Sequence, residues 1–313
     1  MQKLFKIALC QSKATENKVK NISEAYRLAK QAKKLGPDVV VFGEYFTNVV
    51  HSARFQEYSE PVLQNLNEGY DLYLNDIISL KKSFNLDDEF ETIMKSPTPA
   101  FLFLKALSYF LDLLVVGGSL VEKEDNRLYN TCFIFDKGEL LGRHRKVHLF
   151  DVDIPGKMTF KESETVSPGN TPTLIKTRFG NFGIGICYDI RFASYAMYLR
   201  ELGADVLIYP SVFNQETGPR HFLLSGQARA LDTQCYVILG SCAQYTEKPE
   251  YYQAYGHSAI VNADGKIIEH LKGDEGVLFN EVNLNTVDEI RKTIPYTSDH
   301  QKRKDIYGFK NLN

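Results

Sequence analysis

An apolar run that ends at a cysteine constrains the fold of this chain more than any other feature of the sequence. The run contains Phe182, Ile184 and Ile186 with two glycines between them, and it stops at Cys187, after which a helical pattern extends over 192–202. This pattern predicts a buried strand, a tight turn that carries the cysteine, and a helix leaving the turn. Free N–H groups at a helix start favour an anionic sulfur, so Cys187 is a candidate nucleophile. A buried structural cysteine is the alternative interpretation.

Two other reactive side chains follow segments that are predicted to be buried strands. The continuous apolar strand 38–42 is followed by Glu44, and a predicted hairpin, with strands at 128–135 and 139–145, leads directly to Lys146. A carboxylate at the end of a central strand is costly to bury unless it has a partner or a chemical role. Taken singly, each residue is weak evidence for an active site. Glu44 could be a structural carboxylate with all its hydrogen bonds made, and Lys146 could be a surface charge.

An acid, an amine and a thiol at one sheet edge would make a site for attack on a carbonyl carbon. Glu44 could take the thiol proton as general base, and Cys187 could then form a thioester. Lys146 and the backbone N–H of Tyr188 could stabilise the oxyanion of the tetrahedral intermediate. This hypothesis requires the three side chains, which are distant along the chain, to meet in one pocket.

The order of predicted elements indicates a mixed α/β fold. Strands outnumber helices, and hairpins alternate with strand–helix units, which favours a pair of mixed sheets with helices outside, in one domain covering 1–313. The stretch 151–171 is predicted to be irregular. We interpret the region 65–95 as an insertion, with a possible helix over 71–84 and a possible role as a lid, although a passive insertion is the alternative.

Charge and cysteine spacing exclude several classes of protein. The formal net charge is −2, which argues against nucleic acid as a partner, and no apolar run is long enough to span a membrane. The five cysteines are scattered without a C-x-x-C pair, so we expect neither a disulfide framework nor a metal site. This cysteine usage predicts a protein of a reducing compartment. We therefore expect a cytoplasmic protein, with mitochondrial presence left open.

Two segments resemble a known enzyme family. Residues 142–151 (GRHRKVHLFD) and 185–192 (GICYDIRF) look like the second and third signatures of the nitrilase, or carbon–nitrogen hydrolase, superfamily. The resemblance places that family's catalytic triad on Glu44, Lys146 and Cys187. It implies an α-β-β-α sandwich that usually dimerises into a four-layered stack, and it involves no metal or organic cofactor.

Further segments, among them 150–155 (FDVDIP), 167–169 (SPG), 209–211 (YPS) and 217–219 (TGP), resemble the ω-amidase branch of this superfamily. That branch hydrolyses the terminal amides of 2-oxo dicarboxylic acid monoamides such as 2-oxoglutaramate and 2-oxosuccinamate. The resemblance implies that Glu162 orients the lysine and the substrate, and that Arg191 binds the distal carboxylate of the substrate. A guanidinium suits this task because it can donate two hydrogen bonds to a carboxylate. The same resemblance implies substrate contacts by Phe213, Asn214 and Thr217.

Two alternatives to the ω-amidase hypothesis stay open. One is an amidase for deaminated glutathione or another amidase of this family, and the other is an inactive scaffold or binding protein. The sequence also departs from the family pattern beside the proposed general base. Gly43 stands where the family usually has proline, and Tyr45 stands where the branch often has cysteine.

Overall fold

Strands and helices alternate along the part of the chain that the structure describes. The structure is a computed structural model that describes residues 3–62, 86–156, 158–245, 248 and 251–307. The strands are β1 (Leu4–Gln11), β2 (Val39–Phe42), β3 (Leu114–Val116), β4 (Leu120–Glu124), β5 (Arg127–Asp136), β6 (Glu139–Arg145), β7 (Asp151–Ile154), β8 (Met158–Lys161), β9 (Thr173–Thr177), β10 (Gly180–Ile184), β11 (Val206–Ser211), β12 (Tyr236–Ser241), β13 (Ala259–Val261), β14 (Ile267–His270) and β15 (Gly276–Asn283).

The helices lie between and after these strands. They are α1 (Lys18–Lys33), α2 (Phe55–Tyr58), α3 (Leu86–Met94), α4 (Pro99–Phe110), α5 (Ala193–Glu201), α6 (Gly218–Thr233), α7 (Leu284–Thr293), α8 (Tyr296–Lys302) and α9 (Lys304–Tyr307). Short 3-10 turns occupy Ser52–Arg54, Glu162–Glu164 and Cys187–Arg191. None of the helices described is long and apolar enough to cross a membrane.

The strands form two large sheets and one small one. The first sheet has seven strands in the order β15-β1-β2-β3-β5-β4, with β6 paired to β5, and the second has six in the order β14-β13-β12-β11-β10-β9. Within each large sheet three neighbouring strands are parallel, β1-β2-β3 in the first and β10-β11-β12 in the second. Parallel strands of one sheet end at the same edge, so the loops after β10 and β11 are neighbours. The Glu44 N–H, just after β2 of the first sheet, donates to the carbonyl of Ser211 in β11 and brings the loop after β2 to the same place.

The two large sheets pack face to face, and helices cover their outer faces. Alternate residues of β1 show this arrangement: Ile7 and Leu9 join the core between the sheets, whereas Ala8 and Cys10 join the core under α1 and α4. The period of two along a strand produces this division, because successive side chains point to opposite faces. The layers are therefore α-β-β-α, as predicted.

Most of the predicted elements are present, with three corrections. The stretch 151–171 is not irregular throughout, because β7 and β8 pair as an antiparallel hairpin. Strands β4 and β14 were not predicted. The sequence predicts a strand over 205–209 that ends at Pro210 and Ser211, whereas both residues belong to β11.

The predicted insertion falls largely outside the described residues. Residues 63–85, which include the possible helix over 71–84, are not described. The adjoining segment Leu86–Met94 is helix α3. The insertion, its role and the single-domain organisation stay predictions.

Candidate active site

The Cys187 turn has the geometry that the sequence predicts. Strand β10 leads through Gly185 and Ile186 into the 3-10 turn Cys187–Arg191, and helix α5 follows. Cys187 has φ +45°, a left-handed conformation that costs a non-glycine residue about 1–3 kcal/mol. A side chain at Gly185 would place its Cβ 2.6 Å from the Tyr209 ring, so the turn fits closely against β11. The packing therefore holds the nucleophile candidate on a strained turn.

Asp189 ties the cysteine turn to the segment that carries Lys146. Its buried carboxylate accepts a hydrogen bond from the Ile186 N–H at 2.8 Å and another from the His148 N–H at 2.9 Å. The imidazoles of His144 and His148 contact the same carboxylate at 3.2 and 2.7 Å. One side chain thus fixes the backbone on both sides of the site.

Glu44 lies just beyond β2 and is held by the second sheet. Its backbone N–H donates to the Ser211 carbonyl at 3.4 Å, and the Cys242 thiol donates to its carbonyl at 3.2 Å. A Cβ at position 43 would come within 2.6 Å of the Cys242 backbone nitrogen, so this close approach requires glycine. The departure from proline at Gly43 therefore has a packing reason.

Lys146 lies between two buried glutamates. Its Nζ is 2.9 Å from Glu44 Oε1 and 2.9 Å from Glu162 Oε2. All three side chains are at most 3% exposed, so the ammonium and the carboxylates interact in an environment that screens them weakly. The predicted acid–amine pair is formed, and Glu162 joins it.

The two glutamates differ in their hydrogen bonds. Glu162 accepts from Lys146, from the Phe150 N–H at 2.8 Å, from the Tyr45 hydroxyl at 3.1 Å and from Asn130 Nδ2 at 3.2 Å. Asn130 Nδ2 also donates to Glu44 Oε1 at 2.8 Å. The second oxygen, Glu44 Oε2, is buried and has no hydrogen bond of ordinary geometry to any described residue. Glu44 therefore has an oxygen available for a proton, whereas Glu162 is fully engaged.

The Cys187 thiol lies beside this available carboxylate. It interacts with Glu44 as a weak hydrogen-bond partner, and the Val212 N–H points towards its sulfur. Burial raises the pKa of the thiol well above its usual range, the Glu44 carboxylate raises it further, and Lys146 and Val212 act in the opposite direction. The resting cysteine is therefore a thiol, and its activation requires a base.

The charges of the other two groups suit that requirement. Burial raises the pKa of Glu44, and the Lys146 ammonium opposes this rise. Burial lowers the pKa of Lys146, but Glu162 and Glu44 outweigh burial and raise it well above its usual range. Lys146 thus stays an ammonium, and a Glu44 carboxylate of raised pKa is a stronger base towards the thiol.

An inner chamber holds these groups and extends to Arg191. One part of about 20 Å³ is lined by the three predicted catalytic side chains, and an adjoining part of about 10 Å³ is lined by Cys187, Tyr188, Arg191, Phe213 and Thr217. The side chain of Tyr252 borders both parts. The side chains that line the chamber nearly fill it.

An outer cavity of about 670 Å³ lies beyond Tyr252 and Phe160, which line it together with Asn214. Asn214 therefore lies outside the inner chamber, unlike the other residues predicted to contact substrate. Its Oδ1 accepts from the Thr217 N–H and hydroxyl, both at 2.8 Å, at the start of α6. A substrate-binding role for Asn214 stays a prediction.

Sequence reasoning gave no site role to Tyr45, Asn130 and His221, which contact the predicted site. It also missed the aromatic side chains that line the inner chamber, Phe150, Phe160 and Tyr252. Tyr45 was noted only as a departure from the family pattern, and Asn130 lies inside β5 and belongs to no motif. His221 contacts Arg191 through a 3.1 Å interaction between Nδ1 and Nη1. Only the buried apolar neighbours of Asn130 along β5 could have signalled an internal polar group.

The described residues contain no group of three or more His, Cys, Asp or Glu that could hold a metal ion.

The sequence and the fold both match known proteins. The family model described as carbon-nitrogen hydrolase matches residues 6–292. This chain belongs to the carbon–nitrogen hydrolase family. The result confirms the predicted family.

Relatives of similar length share about a third of their residues with this carbon–nitrogen hydrolase. It is 36% identical to the protein named Omega-amidase NIT2 of Bos taurus over 304 residues, which cover 97% of this chain and 96% of that protein. It is also 36% identical over 310 residues to Omega-amidase NIT3 of Saccharomyces cerevisiae, covering 97% and 95% of the two chains.

A solved structure confirms the fold. The crystal structure of Saccharomyces cerevisiae Nit3, described as a member of branch 10 of the nitrilase superfamily, aligns with a TM-score of 0.75 at 32% identity. The alignment covers 94% of this chain and 95% of that one. The predicted nitrilase-type sandwich is therefore correct.

Proposed function

We propose that this protein is an ω-amidase, which hydrolyses the terminal amide of 2-oxo dicarboxylic acid monoamides such as 2-oxoglutaramate and 2-oxosuccinamate. The observation that carries the proposal is the inner chamber, which has a thiol, a base and an ammonium at one end and the Arg191 guanidinium at the other. The names of the two amidase relatives support the same reaction.

The first half of the reaction forms a thioester. Glu44 Oε2 takes the proton of the Cys187 thiol as the sulfur attacks the amide carbonyl carbon. Lys146 and the Tyr188 N–H, which lies in the first turn after the nucleophile, stabilise the oxyanion. The C–N bond then breaks, and Glu44 returns the proton to the leaving nitrogen, which departs as ammonia.

The second half releases the acid. Glu44 takes a proton from a water molecule, which attacks the thioester carbon, and the proton then returns to the departing sulfur of Cys187. The products are the 2-oxo dicarboxylic acid and the free thiol. Glu162 takes no part in proton transfer, because four donors already occupy its carboxylate, and it holds the Lys146 ammonium in place.

Arg191 binds the distal carboxylate of the substrate in this proposal. Its guanidinium carbon lies 5.0 Å from the Phe213 ring centroid and 5.9 Å from that of Tyr188, and it forms no salt bridge to a carboxylate of the described residues. A partly buried arginine that borders the chamber and lacks a carboxylate partner among the described residues favours an anionic ligand. Phe213 and Thr217 complete the wall around this ligand.

The outer cavity favours a second candidate, an amidase for deaminated glutathione. That substrate is a 2-oxo peptide, larger than a 2-oxo dicarboxylic monoamide, and the 670 Å³ beyond Tyr252 would accommodate the additional length. The same catalytic groups would act on the amide bond.

An ammonia-release assay on the purified full chain tests the function. We expect turnover of 2-oxoglutaramate or 2-oxosuccinamate, loss of at least about 10³-fold in kcat for Cys187→Ala, and slower turnover of deaminated glutathione. Faster turnover of deaminated glutathione would favour the second candidate. No turnover of any of these amides between pH 6 and 9 would contradict both.

Thiol labelling at neutral pH separates the enzyme from an inactive scaffold. Cys187 is 8% exposed, whereas Cys10, Cys132, Cys235 and Cys242 are at most 2% exposed. We expect a small alkylating reagent to modify Cys187 before the other four cysteines, and Glu44→Gln to slow this reaction. Labelling spread evenly over the cysteines would favour the scaffold.

We further propose that the protein is a homodimer of the cytoplasm. Exposed apolar side chains at Tyr198 and Leu202 in and after α5, and at Leu224 and Leu231 of α6, support an interface between two copies. The free cysteines suit a reducing compartment.

A further inference from the structure

His221 is the polar side chain in hydrogen-bond contact with the proposed carboxylate-binding arginine. It lies in the first turn of α6, where its own N–H donates to the Thr217 carbonyl at 2.9 Å. Its Nδ1 is 3.1 Å from Nη1 of Arg191. The imidazole is anchored by α6, a sixteen-residue helix that packs on β12 and also contacts the cysteine turn, where Arg229 Nη1 donates to the Ile190 carbonyl at 3.1 Å.

The chemistry of the pair fixes the direction of this hydrogen bond. Arginine has donors only and stays charged, so His221 Nδ1 must accept, and the imidazole must be neutral with its proton on Nε2. Burial lowers the pKa of His221, and the neighbouring charges of Arg191 and Arg220 lower it further. The neutral acceptor form is therefore favoured, and His221 adds no charge to the chamber.

We propose that His221 is a positioning residue that orients Arg191 and thereby sets the preference for substrates with a distal carboxylate. This inference rests on the proposed function. Nδ1 holds one N–H of the guanidinium, and Phe213 and Tyr188 flank its carbon. The remaining N–H groups can then face the chamber in one orientation.

Orientation before binding matters because arginine has many rotamers. A guanidinium that is already fixed loses less conformational freedom when it binds a carboxylate, and the affinity rises accordingly. His221 forms no hydrogen bond to Glu44, Lys146 or Cys187, the described residues at the reacting end of the chamber. The residue should therefore influence the affinity for carboxylate-bearing substrates and not the chemical step.

A pair of substitutions isolates the acceptor atom. His221→Asn keeps an acceptor near the position of Nδ1, and His221→Leu keeps a similar volume and removes the acceptor. The neighbouring Arg220→Gln removes a charge from the same turn and is the matched control. Each variant is assayed with 2-oxoglutaramate and with butyramide, an amide of similar length that has no carboxylate.

We expect His221→Leu to raise the KM for 2-oxoglutaramate about tenfold, with kcat within about twofold of the unsubstituted protein. The ratio of kcat/KM for 2-oxoglutaramate to that for butyramide falls by about the same factor. His221→Asn restores the ratio to within about threefold, and Arg220→Gln leaves it unchanged. An unchanged KM in His221→Leu, or an equal loss with both amides, overturns the positioning role.

An equilibrium measurement separates this inference from the proposed function. Binding of 2-oxoglutarate, the expected product, is measured by calorimetry with Cys187→Ala and with Cys187→Ala/His221→Leu. About tenfold weaker binding in the double variant supports the role of His221 even if the unsubstituted protein turns over neither oxo-amide, a result that would overturn the proposed function alone. Equal binding by both variants overturns the inference alone.

Discussion

Glu44 and Glu162 contact the same ammonium, and the number of donors around each carboxylate decides what it can do. Glu162 accepts from four donors, whereas Glu44 Oε2 has no hydrogen bond of ordinary geometry to the described part of the chain. Burial raises the pKa of Glu44, and its Oε2, which lacks such a donor, is the oxygen that can take a proton. The environment thus gives two chemically identical residues different roles, base for one and support for the other.

Tyr45→Phe tests this division by removing one donor from Glu162. The hydroxyl group is lost and the ring, which stacks on Phe55 at 4.9 Å, is kept. A hydrogen bond to a charged group contributes roughly 1.5–3 kcal/mol, so we expect the free energy of unfolding to fall by about that amount. Because Glu162 would then hold Lys146 less firmly, kcat should fall about tenfold with KM nearly unchanged.

Phe55→Leu is the control for this substitution. It disturbs the same stacked pair and leaves the hydroxyl in place, so we expect a loss of stability with little change in kcat. Denaturant unfolding and steady-state kinetics measure the two quantities. Equal effects of the two substitutions on kcat would show that Tyr45 acts through packing alone.

At the scale of elements, Asp189 joins the 3-10 turn after β10 to the segment after β6. Burial would raise the pKa of Asp189, but hydrogen bonds from His144 and His148 outweigh it, and the pKa lies below its usual range. A carboxyl group with a depressed pKa stabilises the folded state above its unfolded pKa of about 4, and this contribution is lost as the pH falls. The connection between the two elements should therefore weaken in acid.

Asp189→Asn should damage stability and catalysis together. The amide has one acceptor oxygen, so the N–H group of either Ile186 or His148 loses its partner, at a cost of about 1–3 kcal/mol. We expect kcat to fall at least about tenfold at temperatures where the variant stays folded, because Cys187 and Lys146 lose their common support. Thermal unfolding and kinetics at the same temperature provide the measurement.

Thr173→Val serves as the comparison for Asp189→Asn. It removes the outer contact of His144, at 3.0 Å, and leaves both backbone hydrogen bonds to Asp189 intact. We expect it to lower stability without a matching fall in kcat. A folded Asp189→Asn variant with unchanged kcat would contradict the proposal that Asp189 holds Cys187 and Lys146 in position for catalysis.

The elements also show what the sequence could predict. The strands before Glu44 and Cys187 were predictable because their apolar runs are continuous and end abruptly at polar residues. The hairpin of β7 and β8 was not, because its strands are four residues each in a polar stretch with little alternation. Donors such as Asn130 reach the site through sheet pairing, which a local pattern does not reveal.

At the scale of the whole molecule, each large sheet contributes different parts of the chemistry. Glu44 and Lys146 follow strands of the first sheet, whereas Cys187 follows β10 of the second. The three side chains meet only because of the way the two sheets pack, and the spacing of the residues along the chain does not encode the distances between them. The family resemblance predicted that the three side chains lie together, and the contacts of Glu44 with Lys146 and Cys187 agree with this prediction.

The proposed homodimer follows from apolar surface on α5 and α6, which pack against each other. Leu224 and Leu231 are 63% and 54% exposed, and their spacing of seven residues places them on one face of α6. Tyr198, on α5, is 48% exposed. Apolar side chains exposed on neighbouring helices favour burial against a second copy, as two-fold interfaces commonly do.

Light scattering coupled to size-exclusion chromatography tests this interface. We expect the unsubstituted protein to have a measured mass of twice the 35.7 kDa of one chain. The double variant Tyr198→Asp/Leu224→Glu should have a measured mass close to that of a single chain, because each new charge would lose its hydration in the interface. Leu35→Glu changes a residue of 48% exposure beyond the end of α1 and should leave the mass unchanged. A dimer that survives the double substitution would exclude α5 and α6 as its contact surface, and a monomeric unsubstituted chain would exclude the dimer itself.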